Sequence, residues 1–376
     1  MRRSLLGAAA LTAGGVGGAV LGYFAERTVI EPVSEPTSAA LPKVETSMVT
    51  TPDGTRLAVS ASGPADAPRI VLVHGLSLAQ EIWTAQRGAL ETTYRVVTFD
   101  MRGHGASDDA AAGDYDAAAI GSDVTAVLDA ERDHPCIVVG HSMGGMALLA
   151  ALGDRPDLVG DQVVGVVLVN TAAAAVVSGL GGGSVAAGIA FLRERARSSL
   201  LGRMVYGGLD AEGNPRGNDL TTVVTRLLGV GPSGREDAVE TVRRLVLGSR
   251  PHVAGELWRT VGTFDQLAVA QALSVPALVI GGGRDRLLPV HHSRRLAETL
   301  PDVELVELPD VGHVAMLERP DEVSAALTAF ARRVLTPASP SVTLLLPEHL
   351  RGAQASQDHE RRNRGHERRR REQGGE

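Results

Sequence analysis

Short apolar runs alternate along this chain with longer stretches of helical period. Arg69–Val73, Tyr94–Phe99, Cys136–Gly140, Val163–Asn170, Pro276–Gly282 and Val303–Leu308 each hold five to eight residues, rich in Val, Ile and Leu. Runs that short are the mark of strands, and where they are apolar throughout, as in Cys136–Gly140 and Pro276–Gly282, of strands buried on both faces. Between them, helical spacing recurs around Ala79–Leu90, Tyr115–Arg132 and Met143–Leu152. Val44–Thr51 and Arg56–Ser62 flank the turn Thr51-Pro52-Asp53-Gly54 and read as a pair of strands. Alternation of this kind predicts an α/β fold, a mostly parallel sheet with helices on both faces.

The alternation stops between Thr171 and roughly Asp265. That insert keeps helical spacing at Val185–Leu201 and Arg235–Leu247, without strand patterns. Three regions follow: residues 1–43, a globular body at 44–335 with a helical insert at about 171–265, and a tail at 336–376.

The ends have their own character. Leu5–Phe24 is 20 residues without a charge, preceded by Arg2 and Arg3. A helix of about 20 residues spans the roughly 30 Å hydrocarbon core of a bilayer. The expectation is a membrane anchor with the body outside the cytoplasm; a secreted or a cytoplasmic protein is the alternative. Gly14, Gly18 and Gly22 form a small-residue face, and Glu31–Pro42 is a Pro-containing tether. The tail from Arg351 onward carries eight Arg and five acidic residues, so its +3 leaves −10 on the remainder of a chain whose net charge is −7. A body that acidic argues against nucleic acid as a partner, and the Arg-rich tail reads as solvated and disordered. Cys136 is the lone cysteine, so no intrachain disulfide can form, and its place at the start of a core strand reads as packing.

Chemistry concentrates at Gly140-His141-Ser142-Met143-Gly144, between an apolar run and a helical one. A strand breaking into a helix at G-x-S-x-G lifts the serine onto a strained turn, its hydroxyl exposed above the sheet edge. The order serine, acid, histidine expected after such an elbow is met by Asp285, in the loop after Pro276–Gly282, and His313, after Val303–Leu308. His313 is the expected general base for Ser142, and Asp285 the group that orients its imidazole. Asp310 lies too near His313 in sequence to come from a separate strand end, and Asn170 has no carboxylate to offer. Backbone N–H groups of Met143 and Leu76 are the expected oxyanion donors, with His74 a structural hydrogen-bonder. Gly281-Gly282-Gly283 lacks a dinucleotide fingerprint and His291-His292 reads as a helix-start surface, so no cofactor and no metal site is expected.

From about Glu45 to Leu335 these motifs resemble the α/β-hydrolase superfamily: His74-Gly75, the segment Asp100-Met101-Arg102-Gly103-His104-Gly105-Ala106-Ser107, the elbow, Asp285 and His313. The likeness is strongest to membrane-associated hydrolases of high-GC bacteria. The resemblance implies that Asp100, Arg102 and His104 are scaffold and that the insert is a helical cap over the site. It also implies a serine hydrolase acting on esters of a lipophilic small molecule through an acyl-enzyme. C–C hydrolases, acyltransferases and cofactor-free haloperoxidases share this fold, and a non-catalytic ligand-binding protein is the reading of another class. A serine at position 142 argues against the aspartate-nucleophile epoxide hydrolases and dehalogenases, and Tyr206 is the only tyrosine of the insert.

Overall fold

The computed structural model describes residues 44–174 and 219–335. Leu5–Phe24, the tether, Val185–Leu201, Tyr206 and the Arg-rich tail lie outside them. Among the described residues no helix is long and apolar enough to cross a membrane.

The strands are β1 (Glu45–Thr50), β2 (Arg56–Ser62), β3 (Arg69–Val73), β4 (Arg95–Phe99), β5 (Cys136–His141), β6 (Val163–Val169), β7 (Ala277–Gly282) and β8 (Val303–Leu308). They form one sheet in the order β1-β2-β4-β3-β5-β6-β7-β8. Only β1–β2 and β2–β4 pair antiparallel; every pairing from β4 to β8 is parallel. The chain runs from β3 to β4 on one side and returns to place β5 on the other. The crevice where strand order reverses therefore opens between the C-terminal ends of β3 and β5, the usual seat of a ligand site in such sheets.

Helices cover both faces. They are α1 (Thr84–Leu90), α2 (Ala117–Ala130), α3 (Met143–Asp154), α4 (Asp219–Leu228), α5 (Glu236–Gly248), α6 (Pro251–Thr263), α7 (Leu267–Ala272), α8 (His291–Thr299), α9 (Ala315–Glu318) and α10 (Pro320–Leu335). The period-two rule divides each strand between two cores. Val71, Val73 and Val138 face one cluster with α2, α3 and α6. Ile70, Leu72, Ile137 and Val139 face the other with α10 and part of α5. Cys136 is buried in the first cluster, and burial pushes its thiol up to about 12.

Local chemistry sets the helix ends. The helix expected around Ala79–Leu90 is split: a 3-10 turn at Gln80–Trp83 precedes α1, because Gln80 N–H is drawn to the Asp100 carboxylate at 2.8 Å. Asp116 caps α2 by accepting the Ala119 N–H at 2.8 Å. In the insert, α5 opens on Glu236 and Asp237, where acidic side chains favour a helix N-terminus. The next helix, α6, has proline in its first turn and buries Val253, Leu257 and Val261 against the first core.

Candidate active site

Ser142 sits at the junction of β5 and α3 with φ 52° and ψ −120°, a conformation that costs a non-glycine residue on the order of 1–3 kcal/mol. Its surroundings hold it there. Ser142 N–H donates to Val169 O at 3.0 Å, and its carbonyl accepts the Thr171 hydroxyl at 2.6 Å. Glycine is needed on both sides for close approach. A Cβ at Gly140 would lie 2.5 Å from Gly145 Cα, and one at Gly144 would lie 2.5 Å from the carbonyl oxygens of Val73 and His74. The second contact presses the start of α3 against the loop after β3, which brings the two expected oxyanion donors to the same crevice. Among the described residues neither Leu76 N–H nor Met143 N–H has a hydrogen-bond acceptor.

His313 and Asp285 meet Ser142 from the loops after β8 and β7. His313 Nε2 is 3.0 Å from Ser142 Oγ, and His313 Nδ1 is 2.8 Å from Asp285 Oδ2. The other carboxylate oxygen, Asp285 Oδ1, accepts the N–H groups of Leu287 at 2.8 Å and Leu288 at 2.9 Å. Since an ionised carboxylate only accepts, the Nδ1 proton points at Asp285 and leaves the Nε2 lone pair for the serine hydroxyl. Asp310 stays outside this chain of bonds: its side chain is 70 % exposed, with Arg284 Nε 4.0 Å away.

The loop carrying Leu76 is pinned by two buried imidazoles. His74 Nε2 accepts Met101 N–H at 3.0 Å, so its Nδ1–H donates to Gly75 O at 2.8 Å. His104 Nε2 accepts Ser77 N–H at 3.1 Å, and its Nδ1–H donates to Arg102 O at 2.9 Å. Ser77 itself is held at φ 58°. Acceptance at Nε2 requires neutral rings, and burial holds His74 below the usual imidazole value and His104 down at about 3. Behind them, Asp100 Oδ2 accepts Ala106 N–H at 3.0 Å. Arg102 is fully buried against Asp123, donating from Nε to Oδ1 at 2.9 Å and from Nη1 to Asp53 at 2.9 Å.

Three contributors were missed by the sequence reading. Asn170, set aside for lacking a carboxylate, has φ 45° and donates from Nδ2 to Asp285 Oδ2 at 2.8 Å and to Gly312 O at 3.1 Å. His141 donates from Nε2 to the His313 carbonyl at 2.9 Å, and burial together with the neighbouring His313 holds its ring well below the usual imidazole value. Glu318, fully buried on α9, accepts N–H groups from both Gly312 and Gly231. Only Asn170 carried a signal, since it ends a strand at the edge where the site forms. His292, expected on a helix-start surface, is buried, because α8 turns His292, Ser293 and Leu296 inward.

A serine on a strand-to-helix elbow at the switch point of a parallel sheet, facing an Asp–His pair, defines a class of fold and site, and comparison with known proteins agrees with it. The alpha/beta hydrolase family model matches residues 70–326, and the chain belongs to that family of hydrolases. It is 30% identical over 286 residues to a putative carbamate hydrolase, RutD, of Variovorax paradoxus (strain S110), covering 74% of this chain and 97% of that protein. Among solved structures, the fold is similar to an esterase, RhEst1, from Rhodococcus sp. ECU1013, with a TM-score of 0.64, 23% identity, and 77% and 99% of the two chains covered. The enol-lactonase from Burkholderia xenovorans LB400 has a TM-score of 0.59 at 24% identity, covering 76% of this chain and all of its own.

Proposed function

We propose that this hydrolase cleaves carboxylic esters through an acyl-enzyme, with Ser142 as nucleophile, His313 as base and acid, and Asp285 as the orienting carboxylate. The observation that carries the reading is the continuous run of hydrogen bonds Ser142–His313–Asp285 at 3.0 and 2.8 Å. His313 Nε2 takes the hydroxyl proton as Ser142 Oγ bonds to the ester carbonyl carbon. The carbonyl oxygen becomes an oxyanion between Leu76 N–H and Met143 N–H, two donors of which each is typically worth about 2.7–4 kcal/mol of barrier. Collapse breaks the bond to the alcohol, which leaves with the proton from His313. Water then repeats the sequence, releasing the acid and restoring Ser142.

The reading of a lipophilic acyl group is supported by half-buried Leu76 and by half-buried Trp258 of α6, which pack against the apolar cluster that holds Met143 and Met146. The finer reading of location is that Leu5–Phe24 anchors the chain in a membrane with the catalytic body outside the cytoplasm, supported by its uncharged length behind Arg2-Arg3.

The test is turnover of a p-nitrophenyl ester series of increasing acyl length, with carbamate and lactone substrates beside it, and labelling by a fluorophosphonate. Wild type is expected to turn over esters, and Ser142→Ala to lose both turnover and label. Full labelling of that variant, or hydrolysis of carbamates with no ester turnover, overturns the proposal.

A further inference from the structure

The loop that carries His313 is fastened to the helical insert rather than to its own helix alone. His313 N–H donates to Gly229 O at 3.0 Å, across to the residue just after α4. On the other side its carbonyl accepts from His141 at 2.9 Å. Ser233 Oγ donates to Asp310 O at 3.1 Å and accepts from Arg319 at 2.9 Å. Between these lies Glu318, 1% exposed. Its Oε2 accepts Gly231 N–H at 2.8 Å, and its Oε1 accepts Gly312 N–H at 3.0 Å. Among the described residues no cationic side chain pairs with it, so backbone N–H groups alone satisfy the carboxylate. Charge-assisted bonds of that kind are shorter and stronger than neutral ones. The two loops approach so closely that a Cβ at Gly312 would lie 2.3 Å from Gly231 N, and one at Gly231 would lie 2.7 Å from Asp310 O.

We propose that Glu318 is a positioning residue that clamps the Gly229–Gly234 loop of the insert to the His313 loop, so that the base reaches Ser142 only while the insert is seated. This rests on the serine-hydrolase reading above. It adds that the Gly229–Gly234 loop and the base move together. A carboxylate is required because both of its oxygens face N–H donors. A glutamine of the same size turns its NH₂ toward Gly312 N–H in either orientation, since that N–H lies 3.0 Å from Oε1 and 3.1 Å from Oε2, and pushes the loops apart. A displacement of about 1 Å in a catalytic group costs on the order of 100-fold in rate, so a small slip of this clamp is felt in the chemical step while the apolar binding surface stays in place.

The experiment compares purified full chains of wild type, Ser142→Ala, Glu318→Gln and Ser233→Ala on p-nitrophenyl butyrate, recording kcat, KM, the rate of fluorophosphonate labelling and the melting temperature. Glu318→Gln is expected to lose 10- to 100-fold in kcat and in labelling rate with KM nearly unchanged, at a temperature where it is fully folded. Ser233→Ala, which removes only the outer strap, is expected to lose about two- to five-fold. A Glu318→Gln kcat loss under five-fold, or one smaller than the change in KM, overturns the proposal. If Glu318→Gln does not fold, Ser233→Ala decides: a kcat loss under two-fold overturns it. An inactive wild type, or an active Ser142→Ala, refutes the serine-hydrolase reading instead.

Discussion

Asp285→Asn replaces one oxygen by an NH₂ group, and the structure says which way the new amide turns. Asp285 Oδ1 accepts two backbone N–H groups, from Leu287 and Leu288, at 2.8 and 2.9 Å. The amide oxygen stays with that pair, since leaving buried donors unsatisfied costs about 1–3 kcal/mol each. The NH₂ is then directed at His313 Nδ1, where the carboxylate oxygen had been 2.8 Å away. A donor there selects the tautomer with its proton on Nε2, so Nε2 faces Ser142 Oγ as a donor and cannot take its proton. The NH₂ also meets the Asn170 amide donor, which then keeps only Gly312 O as an acceptor. The same change in the serine-protease triad costs about 10⁴ in kcat, or roughly 5.5 kcal/mol of barrier, and the same size is expected here. The assay is kcat on a chromogenic ester with the melting temperature measured alongside, because the fold should persist. Asp310→Asn is the control: its exposed carboxylate makes no bond to His313, and activity within two-fold of wild type is expected. Asp285→Asn within ten-fold of wild type, or an inactive Asp310→Asn, would refute the assignment of the acid.

The buried Arg102–Asp123 pair gives a stability prediction: Asp123→Ala removes the fully buried partner of the Arg102 guanidinium and leaves it only the partly exposed Asp53, at about 3–5 kcal/mol and a melting temperature lowered by on the order of 6–20 °C; a drop under 3 °C refutes it. Acid should destabilise the fold. His74, His104, His141 and His292 are held neutral below their ordinary values, so the unfolded chain takes up their protons first and stability falls as pH drops below about 6.5. Asp123, raised to about 6, and Glu318, also raised, oppose this by binding protons in the folded state, but two carboxyls against four imidazoles leave stability falling with acid. A melting temperature flat or rising from pH 7 to pH 5 contradicts that balance. Finally, full-length protein should sediment with membranes while a chain beginning at Val44 stays in solution and active; recovery of the full-length protein entirely in the soluble fraction defeats the anchor.

What the sequence by itself determined was local. Five- to eight-residue apolar runs such as Cys136–Gly140 marked strands, because a strand buried on both faces needs every residue apolar. The glycines around Ser142 marked the elbow, since only they tolerate backbone contacts as close as 2.5 Å. Ser142, Asp285 and His313 were expected together from their positions at strand ends, and their side chains lie within hydrogen-bond reach of one another; the roles proposed for them, and for Leu76 and Met143 in the turns beside them, await the tests above. Tertiary structure alone decided which distant groups serve them. Asn170 reaches Asp285 across 115 residues because β6 and β7 are sheet neighbours, a pairing that no local period encodes. His141 reaches the His313 carbonyl across 172 residues, a bond set by where the loop after β8 returns to the elbow. No motif in the sequence marked Glu318, and its burial follows from the Gly229–Gly234 loop lying against the His313 loop. Periodicity reports which face of an element is apolar. The partners of a buried polar group are chosen by sheet order and by the docking of the insert, and both exist only once the chain has folded.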